Sequence, residues 1–431
     1  NGAGIHAITG GTSAFGNLEL EDTNGATITG TGTTTLSGTL TITQGTLTLN
    51  AFTTAFAVNG TTTIGNGATT GTLTIANAAV TRTFIGLVTV GANGTWNNSS
   101  NAPVILRGGI TNNGTFTAGT GLHTFNTNPQ ALTGTFSIPN ITSAIVLTNN
   151  NSLTVNTALA GAGSLTQAAN ATLNIGFTGA IGITTLFANA NGNTVTYNFN
   201  GAQTIKAPSV AYYHLVTDIA GTKTLAAATT INGNLTVSAG TLADGGFALQ
   251  VNGNVINNGL HTGAGSITLT GGTVAHNLSG TGSFQNIVMN DANGASLGSN
   301  TTINGNLTLT NGRILLNNFN LLMATTAAAI AGAPSSANMV VVNGTGQMLK
   351  YINNAGLPIT FTYPIGDNSG IYSPATLTFT ANTVAGLVGA KVFNIKHPNN
   401  AQVTDLINRY WCFTSALTNY TYSAALKYDV T

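Results

Sequence analysis

The sequence predicts an all-β protein: a right-handed parallel β-helix, or solenoid, followed by a small β-sandwich-like domain. Three observations predict it. A block repeats at an offset of 72 residues, apolar residues alternate with threonine, and only 19 of 431 residues are charged.

The repeat comes first, because a long period decides the fold class. Thr229-Thr230-Ile231-Asn232-Gly233-Asn234-Leu235-Thr236 recurs as Thr301-Thr302-Ile303-Asn304-Gly305-Asn306-Leu307-Thr308, with all eight residues identical. Leu225, Gly240, Phe247 and Leu249 match Leu297, Gly312, Phe319 and Leu321 at the same offset. Leu153, Leu159, Gly161 and Leu165 stand two periods before Leu297, Ile303, Gly305 and Leu309. Near the start, Phe15, Asn17 and Gly25 echo Phe284, Asn286 and Gly294.

Within a period the pattern is that of strands. Leu36 to Leu49 alternates apolar residues with Thr, broken by Gly or polar turns, and period-2 alternation marks half-buried strands. Asn-Gly pairs at 24–25, 59–60, 93–94, 113–114, 232–233, 293–294 and 304–305 predict turns, because both residues tolerate positive φ. No stretch has the 3.6-residue period of a capped helix. One period supplies three to four rungs of roughly 18–24 residues, stacked about 4.8 Å apart, so the array holds roughly 14–19 rungs over roughly 70–90 Å. The rival reading is a string of β-sandwiches, but the low aromatic content argues against several sandwich cores.

Composition fits stacking. Gly (55), Asn (55) and Thr (77) make up almost half the chain, while hydrophobics are 42%. Inward Leu, Ile, Val and Phe fill a continuous core, and outward Thr and Asn form ladders. Like charges stacked at rung spacing repel, so charge is depleted. With this much apolar content the chain is not disordered.

The composition changes near residue 340. Residues 1–340 carry 11 of the 19 charges and residues 341–431 carry 8; 12 of the 29 aromatics fall in the second segment. The expected domains are therefore 1–340, the solenoid, and 341–431, the sandwich-like domain, which lacks some strands if its pattern is complete elsewhere. Tyr351, Phe361, Tyr363, Tyr372, Trp411, Tyr420 and Tyr422 suit its compact two-layer core.

Chemistry is read mostly by exclusion. A net charge of +1 gives no footprint for nucleic acid. The longest apolar stretch, 321–332, is too short for a helix that needs about 20 residues to span a bilayer. From Thr23 to Thr217 there is no Asp or Glu, which excludes paired-carboxylate chemistry there; only Arg82, Arg107 and Lys206 are charged in that span. Glu19, Glu21 and Asp22 form the single acidic cluster. They are candidate calcium ligands, though the surroundings favour a solvated edge or a subunit contact. His6, His123, His214, His261, His276 and His397 are scattered and read as turn or surface residues. Cys412, the only cysteine, sits among Tyr410, Trp411 and Phe413 and reads as a small buried apolar residue. No catalytic, cofactor-binding or metal-binding residue is assigned, and no cofactor is expected. Asn-x-Ser/Thr sequons such as Asn140-Ile141-Thr142 follow from the composition alone. Runs such as Thr33-Thr34-Thr35 and Thr61-Thr62-Thr63 raise ice binding as a minor alternative.

The Thr-Thr-Ile-Asn-Gly-Asn-Leu-Thr blocks, and the strand Phe284-Gln285-Asn286-Ile287-Val288-Met289 before one of them, resemble the β-helical repeats of very large secreted surface proteins of Bacteroidota and related bacteria. The tail resembles a domain that often follows them. Its marks are Tyr363-Pro364-Ile365-Gly366-Asp367, Ile371-Tyr372-Ser373-Pro374 and Arg409-Tyr410-Trp411. The resemblance implies export, commonly by the type IX system, a role in adhesion or extracellular structure, and no catalytic residues. The chain begins at Asn1 without Met, as a processed product or fragment would. It stops at Tyr428-Asp429-Val430-Thr431, where the family's domain would need further strands, and no sorting domain follows.

The expected function is that of a secreted structural protein, not an enzyme. It is a subunit of a surface filament that assembles head-to-tail with copies of itself through the solenoid ends and the C-terminal domain. The alternative is a monomeric adhesin stalk that presents a binding domain to surface glycans or other cells. A polysaccharide-degrading enzyme ranks lower, with ice binding. Neither nucleic acid nor membrane insertion is expected.

Overall fold

The computed structural model describes residues 3–12, 14–404 and 406–428. Asn1 and the terminal 429–431, named above, lie outside them. The protein is all-β. Parallel β-solenoid turns, about 16 of them, span residues 6–332, and a mixed and antiparallel sheet region follows. No helix occurs among the described residues. The chain divides into two compact units, Asn1–Tyr213 and His214–Thr431.

In the first unit each turn contributes short strands to the faces of the coil. Ile8 pairs with Ile28, Leu18 with Leu40 and Phe56 with Arg82, always in parallel. Inward positions bury apolar side chains completely, as at Leu47, Leu73 and Trp96. An aromatic ladder runs through this interior. Phe84 meets Trp96 edge-on at 4.9 Å, Trp96 stacks on Phe116 at 5.4 Å, and Phe116 meets Phe136 edge-on at 5.3 Å.

In the second unit each turn is plainly three strands. His214–Thr217, Thr222–Leu225 and Thr229–Ile231 make one turn. Leu235–Val237 then stacks on the first of them, Thr241–Ala243 on the second and Ala248–Val251 on the third. This organisation corrects the meaning of the 72-residue repeat. Thr229–Ile231 lies on the third face, but its twin Thr301–Ile303 lies on the second, in line with Thr222–Leu225 and Thr241–Ala243. The twin blocks are eleven strands apart, which is three turns and two-thirds of a fourth. The sequence repeats strand-plus-corner units, and the same unit fits the third face at Thr229–Ile231 and the second at Thr301–Ile303. The repeat therefore does not set like residue above like.

The corners explain the asparagine. Asn234 Oδ1 accepts the backbone N–H of Asn254 at 2.9 Å, and Asn254 Oδ1 accepts that of Asn277 at 2.8 Å. Asn286 does the same for Asn306 at 2.9 Å, and Asn300 for Asn320 at 2.8 Å. Each side chain satisfies a backbone donor one turn on, at a place where the sheet ladder is interrupted. The glycines of the Asn-Gly pairs serve two purposes. Gly25 has a positive φ of 77°, as expected. Gly60 is needed for closeness instead: a Cβ there would lie 2.5 Å from Gly38 O, and one on Gly86 would lie 2.4 Å from Gly60 O.

Past residue 340 the stacking is still parallel for two strands. Val340–Val341 lies between Ile314–Leu315 and Ile365–Gly366, and Met348–Ile352 lies on Leu321–Met323. Met348–Ile352 then pairs antiparallel with Gly386–Phe393, which pairs antiparallel with Tyr410–Ser415. A second antiparallel sheet contains Ile359–Tyr363, Ala375–Ala381 and Thr421–Leu426. Tyr363 reaches between the two sheets and donates its hydroxyl to Val388 O at 2.9 Å.

Candidate functional site

Three features stand out once the elements are placed. The first is the opening turn of the N-terminal unit. Among the described residues, His6–Gly10, Ala14–Phe15 and Leu18–Glu21 each pair only with the turn that follows. Ile8, Phe15 and Leu18 are only half-buried, whereas their register partners Ile28, Leu36 and Leu40 are fully buried, and Ile5 is 71% exposed.

The acidic cluster lies on this same turn. Glu19 and Glu21 are exposed, and Asp22 is half-buried. A register shift between Leu20 and Glu21 interrupts the strand face on which both glutamates were expected. Asp22 turns to His6, with Oδ2 2.9 Å from Nε2, and accepts the N–H of Asn24 at 2.9 Å. The Asn24 backbone bond, with the His6 contact second, holds its carboxyl well below the usual range. Among the described residues, no three His, Cys, Asp or Glu side chains gather as a metal site.

The second feature is a face of the same unit that carries two columns of small polar side chains. Thr46, Thr72, Thr95 and Thr115 stack in register in one column, and Thr48, Thr74, Asn97 and Thr117 in the other. Each pair flanks an inward apolar residue: Leu47, Leu73, Trp96 or Phe116. The pattern resumes at Thr135/Ser137, Ser152/Thr154, Thr172/Asn174 and Thr194/Thr196. Ring contact between Phe116 and Phe136 joins the two stretches from inside. Hydroxyls bond laterally where geometry allows: Thr172 Oγ1 donates to Ser152 Oγ at 3.0 Å. The Thr runs singled out in the sequence lie elsewhere, and in them Thr34 and Thr62 point inward and are fully buried.

The third feature is in the C-terminal sheets. Asp367, Ser373, Arg409 and Trp411, all from the tail motifs, converge. Arg409 lies 2.5 Å from Asp367 Oδ2 and donates to Ser373 Oγ, and Trp411 Nε1 donates to Ser373 O at 3.0 Å. Asp367, Ser373 and Arg409 are buried, Trp411 is half-buried, and the cluster ties three segments together. Nearby, a cleft of about 150 Å³ opens between the sheets, lined by Leu377, Phe379, Val388, Phe413, Tyr420 and Tyr422. Strand Thr421–Leu426 is exposed along its whole length.

Other expectations need correction. His123, His261 and His276 are buried, not surface residues. Alternation already places His123 on the inward side with Phe125, two residues on. Burial pushes the His123 imidazole down to about 4. His261 and His276 sit 3.1 Å from Asp244 and Asp291 respectively. Burial also lowers His261, against the opposing pull of Asp244. Cys412 is exposed, not buried, because alternation along Tyr410–Ser415 turns it to the face opposite the half-buried Trp411 and Phe413.

The buried cations serve the backbone. Arg82 donates to Val80 O at 2.6 Å and Asn77 O at 3.0 Å, with its guanidinium over Phe52. Lys350 borders a cavity of about 270 Å³, but Nζ donates to the carbonyls of Thr325, Thr326 and Ala328. All three ammonium protons are engaged, although burial pushes its pKa down to about 8.

Comparison with protein-family models, curated proteins and solved structures finds no match to this chain.

Proposed function

We propose that the protein is a secreted, non-catalytic structural subunit that self-associates head-to-tail. The carrying observation is the stack itself: about 16 turns in which parallel strands pair from one turn to the next, beginning with Ile8 on Ile28 and Leu18 on Leu40. Free edges of parallel strands template further pairing. Covering them with strands of another copy gives a heterologous contact that repeats into a filament. The low charge removes a barrier to such assembly, and the resemblance of the repeats and tail to exported Bacteroidota surface proteins supports an extracellular setting.

Negative-stain microscopy and sedimentation of the purified chain test this reading. Regular filaments are expected from the native sequence. A double variant, Ile8→Lys with Leu18→Lys, should remain monomeric while melting within a few degrees of native. A native chain that sediments as a monomer at every concentration would sink the filament reading.

One observation favours a second reading, an adhesin stalk. The cleft sets the rings of Phe379, Phe413, Tyr420 and Tyr422 beside Ser415, and aromatic faces next to a hydroxyl suit a sugar ring. A glycan screen in which Tyr422→Ala removes binding supports it.

A further inference from the structure

We infer that the two-column threonine face of the N-terminal unit is a binding surface for ice. The inference is independent of self-assembly, because the two columns lie on other strands than His6–Gly10 and Leu18–Glu21.

The argument is one of spacing. Successive turns set the outward side chains about 4.7–4.9 Å apart across the strands. The two columns are two residues apart along each strand, which is roughly 6.6–6.8 Å. Hydrogen-bonded water has its own spacings. An O–H···O distance of about 2.75 Å and tetrahedral angles put second-neighbour oxygens about 4.5 Å apart, and the axial repeat of the hexagonal lattice is about 7.3 Å. Each protein spacing lies within about a tenth of a lattice spacing. Four consecutive strands, from Thr46/Thr48 to Thr115/Thr117, therefore present a patch on which ordered water can sit in step.

Chemistry and rigidity point the same way. Seven of those eight positions are Thr, and the eighth is Asn97. Each Thr offers a hydroxyl that both donates and accepts, and a methyl that fills the gap between hydroxyls. Threonine is β-branched, so few rotamers are lost on binding. No charge interrupts the patch: between Asp22 and Asp218 only Arg82, Arg107 and Lys206 are ionic, and none occupies these columns. A nucleic acid would need cations here, and a membrane would need a greasier face. Another face of the same unit supplies an internal contrast. There Thr41, Thr63, Thr89, Thr111 and Thr133 stack in a single column, which fixes one lattice direction and not two.

The test is ice-recrystallisation inhibition and crystal shaping by the full chain. Native protein should slow grain growth at micromolar concentration and facet single crystals. Thr72→Tyr and Thr115→Tyr, each on the two-column face, should lower the potency about tenfold or more. Thr89→Tyr, on the single column, should leave it unchanged, and circular dichroism melts should match for all three variants. Absence of any ice activity in the native chain overturns the inference. So does equal loss in Thr89→Tyr. Retention on crystalline cellulose or chitin without ice activity would also overturn it, in favour of a solid glycan.

Discussion

The solenoid turns and the C-terminal sheets hold themselves together in different ways. A turn in the middle of the first unit is stabilised by what lies above and below it: Leu47 on Leu73, Thr48 on Thr74, Gly45 on Gly71. No single contact there is special. The C-terminal sheets concentrate cohesion instead, in the cluster where Arg409 joins Asp367 and Ser373, with Trp411 bonded to the same serine. Stacking spreads stability evenly and needs almost no charge. A small two-layer region with exposed edge strands relies on a few buried polar ties.

The largest expected effect tests that contrast directly. Asp367→Ala leaves the Arg409 guanidinium buried without its partner, which costs about 3–5 kcal/mol. Limited proteolysis should then cut within 367–428 while solenoid fragments survive. Uniform degradation of the whole chain would break the comparison.

Next comes acid. His123 is buried with a pKa near 4, below the ordinary value of 6.5. The unfolded chain binds the extra proton first, so this contribution to stability is complete above pH 6.5 and is lost as pH falls towards 4. The loss amounts to about 3 kcal/mol. Denaturant titrations at pH 7 and pH 4 should record it, and His123→Leu should flatten the dependence.

The smallest effect concerns a corner. Gly60→Ala places a methyl 2.5 Å from Gly38 O, and the local shift should cost about 1–3 kcal/mol by thermal melt. A neutral result would mean that corners relax more freely than the stacked strands.

Much of this was legible in the sequence. Alternation of Leu or Ile with Thr gives strands whatever the tertiary context, and charge depletion over 195 residues points to stacking. What lay hidden was register. The 72-residue offset was visible, but nothing local says that it spans eleven strands, because the same unit stands on the third face at Thr229–Ile231 and on the second at Thr301–Ile303. The threonine face was hidden for the same reason. Its members, such as Thr72-Leu73-Thr74 and Thr115-Phe116-Thr117, are scattered triplets that gain meaning only when stacked, whereas the conspicuous runs turn Thr34 and Thr62 inward. Asn-Gly was read correctly as corner but incompletely as mechanism: Asn234 and Asn286 act on the next turn's backbone, at a distance in sequence that no local rule sees.

The eleven-strand offset has a consequence for how such a chain changes. If one strand-plus-corner unit is the element that is copied, then three units make one turn, and the solenoid has something like a reading frame. Gaining or losing three units shortens or lengthens the coil and leaves every face as it was. Gaining or losing one unit rotates all that follows onto the neighbouring face. The core tolerates such a slip where the unit is apolar, since Ile231 and Ile303 are both fully buried on different faces, but any pattern written across the outside is scrambled from that point on. Surface function in this architecture is therefore more fragile than the fold that carries it.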